Sequence, residues 1–122
     1  MNMKRTHRET EPALRRKLGI SVLLAATVLL LYAPCLRQPF FTVDDPVYLA
    51  ENPHVRTGFS LANVRWAFTS TERSNYWHPL TWFSHMLDVE LYGLKPWGHH
   101  LTSVLLHVAN TVLLFWVLRL LF

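Results

Sequence analysis

Apolar residues along this chain gather in two uninterrupted blocks instead of recurring at the spacing of a soluble core. The first, Leu18 to Leu36, LGISVLLAATVLLLYAPCL, is 19 residues without a charge. As a helix it would reach roughly 28 Å at about 1.5 Å per residue, close to the ~30 Å hydrocarbon core of a bilayer. The second, Pro96 to Leu118, is a charge-free run of 23 residues that contains SVLLHVANTVLLFWVL. Both predict membrane-spanning helices, and two such helices can pair. A cleaved signal peptide is the rival reading of the first block, because a basic segment precedes it. Its apolar run exceeds the usual roughly 7 to 15 residues, and no A-x-A-like site follows. Pro34 also stands where cleavage before Cys35 would need a small residue.

Between the blocks the pattern shortens to amphipathic stretches. Ser60 is placed to cap a helix through SLANVRWAFTS, with Leu61, Val64, Trp66 and Phe68 as its apolar content. Pro79 at a first-turn position and Gly93 as terminator bracket a second helix, PLTWFSHMLDVELY. Along it Leu80, Phe83, Leu87 and Leu91 recur at spacings of three and four. The segment 37–98 also holds four of the five Trp, together with Tyr48, Tyr76 and Tyr92, and has no low-complexity run. An ordered loop with helices lying in the membrane interface is expected, since Trp and Tyr rings favour that region.

Charge sets the orientation. Residues 1–17 contain Lys4, Arg5, Arg8, Arg15, Arg16 and Lys17 against Glu9 and Glu11, whereas residues 37–98 have five basic and six acidic residues. The positive-inside rule puts the N-terminus in the cytoplasm and the loop outside. The predicted fold is thus an α-helical membrane protein in four parts. A basic cytoplasmic tail spans 1–17 and a first transmembrane helix 18–36. An extracytoplasmic loop spans 37–98 and a second transmembrane helix 99–122. The formal net charge of +4 is explained by the topogenic tail, so nucleic acid is not expected as a partner. One Cys allows no internal disulfide.

Three polar groupings could carry chemistry. On the second span His100, Ser103, His107, Asn110 and Thr111 fall within an arc of roughly 100°. Such a stripe should face protein or water, either as helix-packing hydrogen bonds or as one wall of a reaction cavity. In YWHPLTW, Tyr76 to Trp82, the aromatic rings and Pro79 read either as an interfacial anchor or as a binding surface. There His78 would donate to a phosphate beside stacking rings. No pair among His54, His78, His85, His99 and His100 has a zinc-motif spacing, so no metal ligand is predicted. Adjacent His99 and His100 should point to different helix faces.

Asp44 and Asp45, in FTVDDPVYLAENP, lie just beyond the first block. They read equally as a turn device before Pro46 and as a general base with a partner that orients it or holds a divalent cation. Pro46 biases Asp45 toward extended geometry, which would aim the two carboxylates to opposite faces.

Taken in order, FFTVDDPVYLAENPHV, SLANVRWAFTS and NYWHPLTWFSHMLDVELYGLKPWGHHLTSVLLHVANTVLLFWVL resemble the start of the tetratricopeptide-repeat-bearing membrane glycosyltransferases. These are similar to the protein O-mannosyltransferases and the wider GT-C superfamily. The resemblance implies transfer of a sugar, mannose or another hexose, from a polyprenyl- or dolichyl-phosphate carrier to a protein or other acceptor hydroxyl. The reaction would run on the extracytoplasmic face with inversion at the anomeric carbon. It places Asp44 as base and Asp45 as its partner; the aromatic stretch and the polar stripe then supply Tyr48, His78, Trp82, His100 and His107 as candidate substrate contacts. The lipid-linked sugar is then a substrate, no cofactor is required, and a divalent cation stays open. Expected partners are the bilayer, the sugar donor, an acceptor polypeptide and the remaining C-terminal part of the enzyme. Such enzymes have many more spans, so the chain is expected to be an N-terminal portion, inactive alone, in a bacterial inner membrane. Two alternatives stand beside this reading: a non-catalytic two-span protein whose loop binds a partner, and a tail-anchored outer domain left after cleavage of the first block.

Overall fold

The computed structural model describes residues 11–41, 44–71 and 76–122, and every regular element among them is helical. Helix α1 runs Glu11–Tyr32 and passes into a tight 3₁₀ turn, Ala33–Arg37, with Pro34 in its first turn. A single π turn covers Pro46–Ala50, closed by the Glu51 N–H donating to the Pro46 carbonyl at 2.7 Å. Then come α2 (Pro53–Arg56), α3 (Leu61–Thr69), α4 (Pro79–Tyr92) and α5 (Pro96–Leu121). Of the predicted basic tail, Lys4, Arg5 and Arg8 lie outside the described residues, while Arg15, Arg16 and Lys17 ride on α1.

Two helical stretches, Glu11–Arg37 and Pro96–Leu121, are long and apolar enough to cross a membrane. Only 11% and 6% of their most apolar windows are buried, which separates them from the core helices of a soluble fold. Together with the all-helical fold this makes the chain an α-helical membrane protein.

The described residues divide into two compact units, 11–31 with 105–122, and 32–104. In the first, α1 and the second half of α5 meet polar group to polar group. Trp116 Nε1–H donates to Ser21 Oγ at 3.1 Å, and Lys17 Nζ stands 5.8 Å from the Trp116 ring centre. Ser21 and Thr27 hydroxyls turn back onto the Lys17 and Leu23 carbonyls at 3.0 and 2.8 Å, as hydroxyls do on helices in apolar surroundings. Val22, Leu23, Leu30, Leu31, Leu113 and Leu114 are all exposed.

The second unit, the loop between the spans, has a core of its own. Leu49, Val55, Ala67, Trp82 and Met86 are buried together, with Phe40, Tyr48, Trp66, Phe83 and Val89 packed around them. Helix α4 is its centre, touching α2, α3 and the Pro46–Ala50 turn. Both helices predicted here form where their punctuation puts them. Ser60 Oγ accepts from the Asn63 N–H at 3.1 Å, and Gly93, at φ 65°, ends α4 in a conformation that disfavours a side chain.

The face of α4 that packs into the loop core is not its leucine stripe. Leu80, Leu87 and Leu91 are exposed and Phe83 only half-buried, whereas Pro79, Trp82 and Met86 are buried. Two apolar stripes run along this helix at the same periodicity, and packing against α2, α3 and the π turn selects the one bearing Trp82. In α3 likewise Leu61 and Phe68 are exposed while Asn63 and Ala67 are buried. Asn63 is nonetheless satisfied: its Nδ2 donates to Thr57 Oγ1 and the Gly58 carbonyl, and its Oδ1 pairs with His54 Nδ1.

Candidate functional site

The acidic pair sits where the chain turns into the loop core. Asp44 is exposed, and its carbonyl accepts from the Tyr48 N–H at 3.0 Å. Asp45 is half-buried, its Oδ2 accepting from the Phe41 N–H at 2.6 Å. Its backbone, at φ −58° and ψ −34°, is helical, which corrects the extended geometry expected ahead of Pro46. The turn that begins at Asp44, closed by the Tyr48 N–H on the Asp44 carbonyl, holds Asp45 in that conformation.

That turn delivers Tyr48 to an aromatic stack. Its ring lies 5.6 Å from His78 at an interplanar angle of 12°, and 5.0 Å from Trp82 at 29°. His78 and Trp82 are themselves 4.8 Å apart, and His85 presents an edge to Tyr48 at 6.1 Å. His78 holds the position before Pro79, and Trp82 and His85 follow at helical spacing on α4, so one helix end supplies most of the cluster. Tyr48, His78 and Trp82, singled out from the sequence, are thus brought together beside the Asp45 turn. Next to His78 a shallow, mostly apolar groove of ≈ 470 Å³ is lined by Phe68, Trp77, Pro79, Leu80 and Thr81. Trp77 is pinned there by its Nε1–H donating to the Phe68 carbonyl at 2.9 Å.

The other two predicted substrate contacts fall elsewhere. His100 is half-buried with its ring 6.4 Å from Phe40. His107 belongs to the other compact unit, where its carbonyl accepts from Thr111 Oγ1 at 2.8 Å. Ser103 Oγ donates to the His99 carbonyl at 3.1 Å, so both hydroxyls of the polar stripe on α5 are satisfied within their own helix.

One constellation was not visible in the spacing. His85, Asp88 and His99 each bring a ligand atom within 4.8 Å of the others. Asp88 follows His85 by three positions on α4, and the Gly93 turn swings His99 back onto them. The H-x-x-D pair on one helix face was the available signal; its third member lies across a turn. Burial, followed by the neighbouring His99, lowers the His85 pKa to about 4 against a smaller opposing effect of Asp45, with His78 adding slightly. Burial also raises Asp88 above the ordinary carboxylate range, with the Thr102 hydroxyl bond and His99 opposing it. Asp88 Oδ1 accepts from Thr102 Oγ1 at 2.5 Å.

No protein-family model matches the chain, and no solved structure matches it. It is 34% identical over 107 residues to the protein O-mannosyl-transferase TMTC1 of Mus musculus, a match that takes in 79% of this chain. The chain spans 11% of the length of that relative. At this coarse level a relative named as an O-mannosyl-transferase meets the likeness read from the sequence.

Proposed function

We propose that this chain is the part of an integral-membrane glycosyltransferase that carries the acidic motif of its first outer loop. The enzyme moves a hexose, mannose being the first choice, from a polyprenyl- or dolichyl-phosphate to an acceptor hydroxyl. The observation that carries this reading is the junction of the Asp44–Asp45 turn with the stacked Tyr48, His78 and Trp82 rings. Exposed Asp44 takes the acceptor proton, the acceptor oxygen bonds to the anomeric carbon, and the sugar–phosphate bond breaks, leaving the carrier phosphate with the electron pair. Asp45, tied to the Phe41 N–H, fixes the turn that presents Asp44. The aromatic faces and the groove beside His78 suit a sugar ring or the head of a prenyl chain. In this reading a GT-C architecture with further spans encloses donor and acceptor. The N-terminus is cytoplasmic and the loop extracytoplasmic in a bacterial inner membrane.

The test is made in the enzyme complemented with its remaining spans. Removal of a positioned base costs roughly 10² to 10⁴ in rate. Asp44→Asn should lower single-turnover transfer by that order while donor binding holds, and Asp45→Asn should do less. Wild-type turnover in both variants would remove the catalytic reading. The bond from the Phe41 N–H to Asp45 favours one second reading, in which the pair only shapes the loop of a non-catalytic partner-binding protein. In that case both variants lose loop stability and no transfer step. Sidedness is checked separately by a reporter at Gly58, which should read as extracytoplasmic.

A further inference from the structure

His99 is held in one tautomer and one orientation. Its Nε2 lies 3.1 Å from the Gly93 carbonyl, an acceptor only, so Nε2 carries the hydrogen and Nδ1 presents a lone pair. That lone pair faces Asp88 Oδ2 at 3.5 Å, with side chains only 5% and 4% exposed. Nδ1 has no hydrogen-bond partner among the described residues, and neither does the buried Nδ1 of His85. Two lone pairs facing each other in a dry site, beside a second unpartnered nitrogen, that of His85, need positive charge between them. A proton can bridge the His99–Asp88 pair, but it leaves His85 unsatisfied. A divalent cation satisfies all three groups together.

We infer that His85, Asp88 and His99 form a zinc site that clips α4 to the first turn of α5. Two imidazoles and one carboxylate are the ligand set of a borderline-soft ion; magnesium and calcium prefer all-oxygen shells. Zinc bonds of about 2.0 to 2.2 Å place tetrahedral ligands roughly 3.4 Å apart. The present spread of up to 4.8 Å closes to that by side-chain adjustment, the His85 and His99 rings already standing 6.3 Å apart. The surroundings are those of metal sites: the Gly93 carbonyl orients one histidine and the Thr102 hydroxyl orients the carboxylate. Phe40 lays its edge against His99 at 5.4 Å and helps keep water out. The fourth position is left for water or an anionic oxygen. The site goes beyond the transferase reading and stands whether or not Asp44 is a base.

The experiment uses the full chain in detergent, stripped with a chelator and titrated with Co²⁺ and then Zn²⁺. One equivalent of Co²⁺ should give the strong visible absorption of a four-coordinate site, displaced by Zn²⁺. His85→Ala, Asp88→Asn and His99→Ala should each abolish it, Thr102→Val should weaken binding by about 10- to 100-fold, and His54→Gln should leave it intact. Should the alanine variants lose helix content by circular dichroism, His85→Cys decides the matter. A cysteine ligand adds a thiolate-to-cobalt charge-transfer band that no merely structural role produces. Absence of stoichiometric binding, equal binding in the three ligand variants, or no such band in His85→Cys overturns the site.

Discussion

The two units of this chain differ in how apolar their sequence is and solve burial in opposite ways. The loop unit hides Trp82, Met86 and Val55 almost completely and satisfies buried Asn63 by three different partners. Among the described residues of the span unit Val28, at 8% exposure, is the buried hydrophobic residue, and nearly all the leucines are exposed. One region supplies its own apolar solvent; the other is made to use the lipid's. Hydrophobicity therefore places a residue only when the partner surface is known, and stability tests should separate the units sharply.

The largest contrast is expected from core truncation. Trp82→Ala removes the largest buried side chain of the loop and should destabilise that unit by about 3 to 5 kcal/mol. Leu113→Ala, on an exposed position of α5, should change it by less than about 0.5 kcal/mol. Hydrogen exchange of the α2–α4 amides in detergent reads both. Equal effects would erase the distinction between the units.

Next comes the polar centre of the loop. Asn63→Leu strips partners from His54, Thr57 and Gly58 at once and should cost about 2 kcal/mol, read by the same exchange. A loss below a few tenths would mean that water replaces the side chain and that the site is wetter than its burial indicates. Gly58→Ala should cost about 1 to 2 kcal/mol, because φ is 71° and the added carbon would run into Glu90 Oε1, which also accepts from the Phe59 N–H. Adding Glu90→Ala should recover only the steric part, leaving the backbone part.

How much of this was legible follows from how local each signal is. The spans declared themselves by length and absence of charge, and α3 and α4 by Ser60, Pro79 and Gly93, all of which act within one turn. The α2 turn was missed because Asn52, whose Oδ1 accepts from the His54 and Val55 N–H groups, caps only four residues. The buried stripe of α4 could not be chosen, since its two apolar faces share a period and α2 and α3 decide between them. For Asp45 the local rule for a residue before proline lost to the hydrogen bonds of the turn. His85, Asp88 and His99 converge only once the Gly93 turn reverses the chain, and no spacing rule encodes that. Tyr48, His78 and Trp82 stood out as aromatic density beside an acidic pair, but their stacking depends on the π turn and the start of α4, which spacing does not encode.

The smallest expected effect lies in the span unit and is the most direct measure of how lipid-facing helices pair. Ser21 Oγ donates to the Lys17 carbonyl and accepts from Trp116 Nε1–H, which links α1 to α5 within that unit. Water-excluded surroundings strengthen such a bond, yet helices separated in a bilayer also find substitute partners for their polar groups. Measured couplings between helices in membranes therefore average about 0.6 kcal/mol and peak near about 1.7. Ser21→Ala alone should cost about half a kcal/mol, leaving the Lys17 ammonium over the indole in place. The cycle of Ser21→Ala with Trp116→Phe, read by unfolding in mixed micelles, should give a coupling near 0.6 kcal/mol. Trp116→Phe keeps a ring under Lys17, so the cycle isolates the hydrogen bond from the cation–π contact. A coupling above about 2 kcal/mol would show that polar bonds specify the span unit as firmly as they do the loop, and the division between self-made core and borrowed solvent would fail.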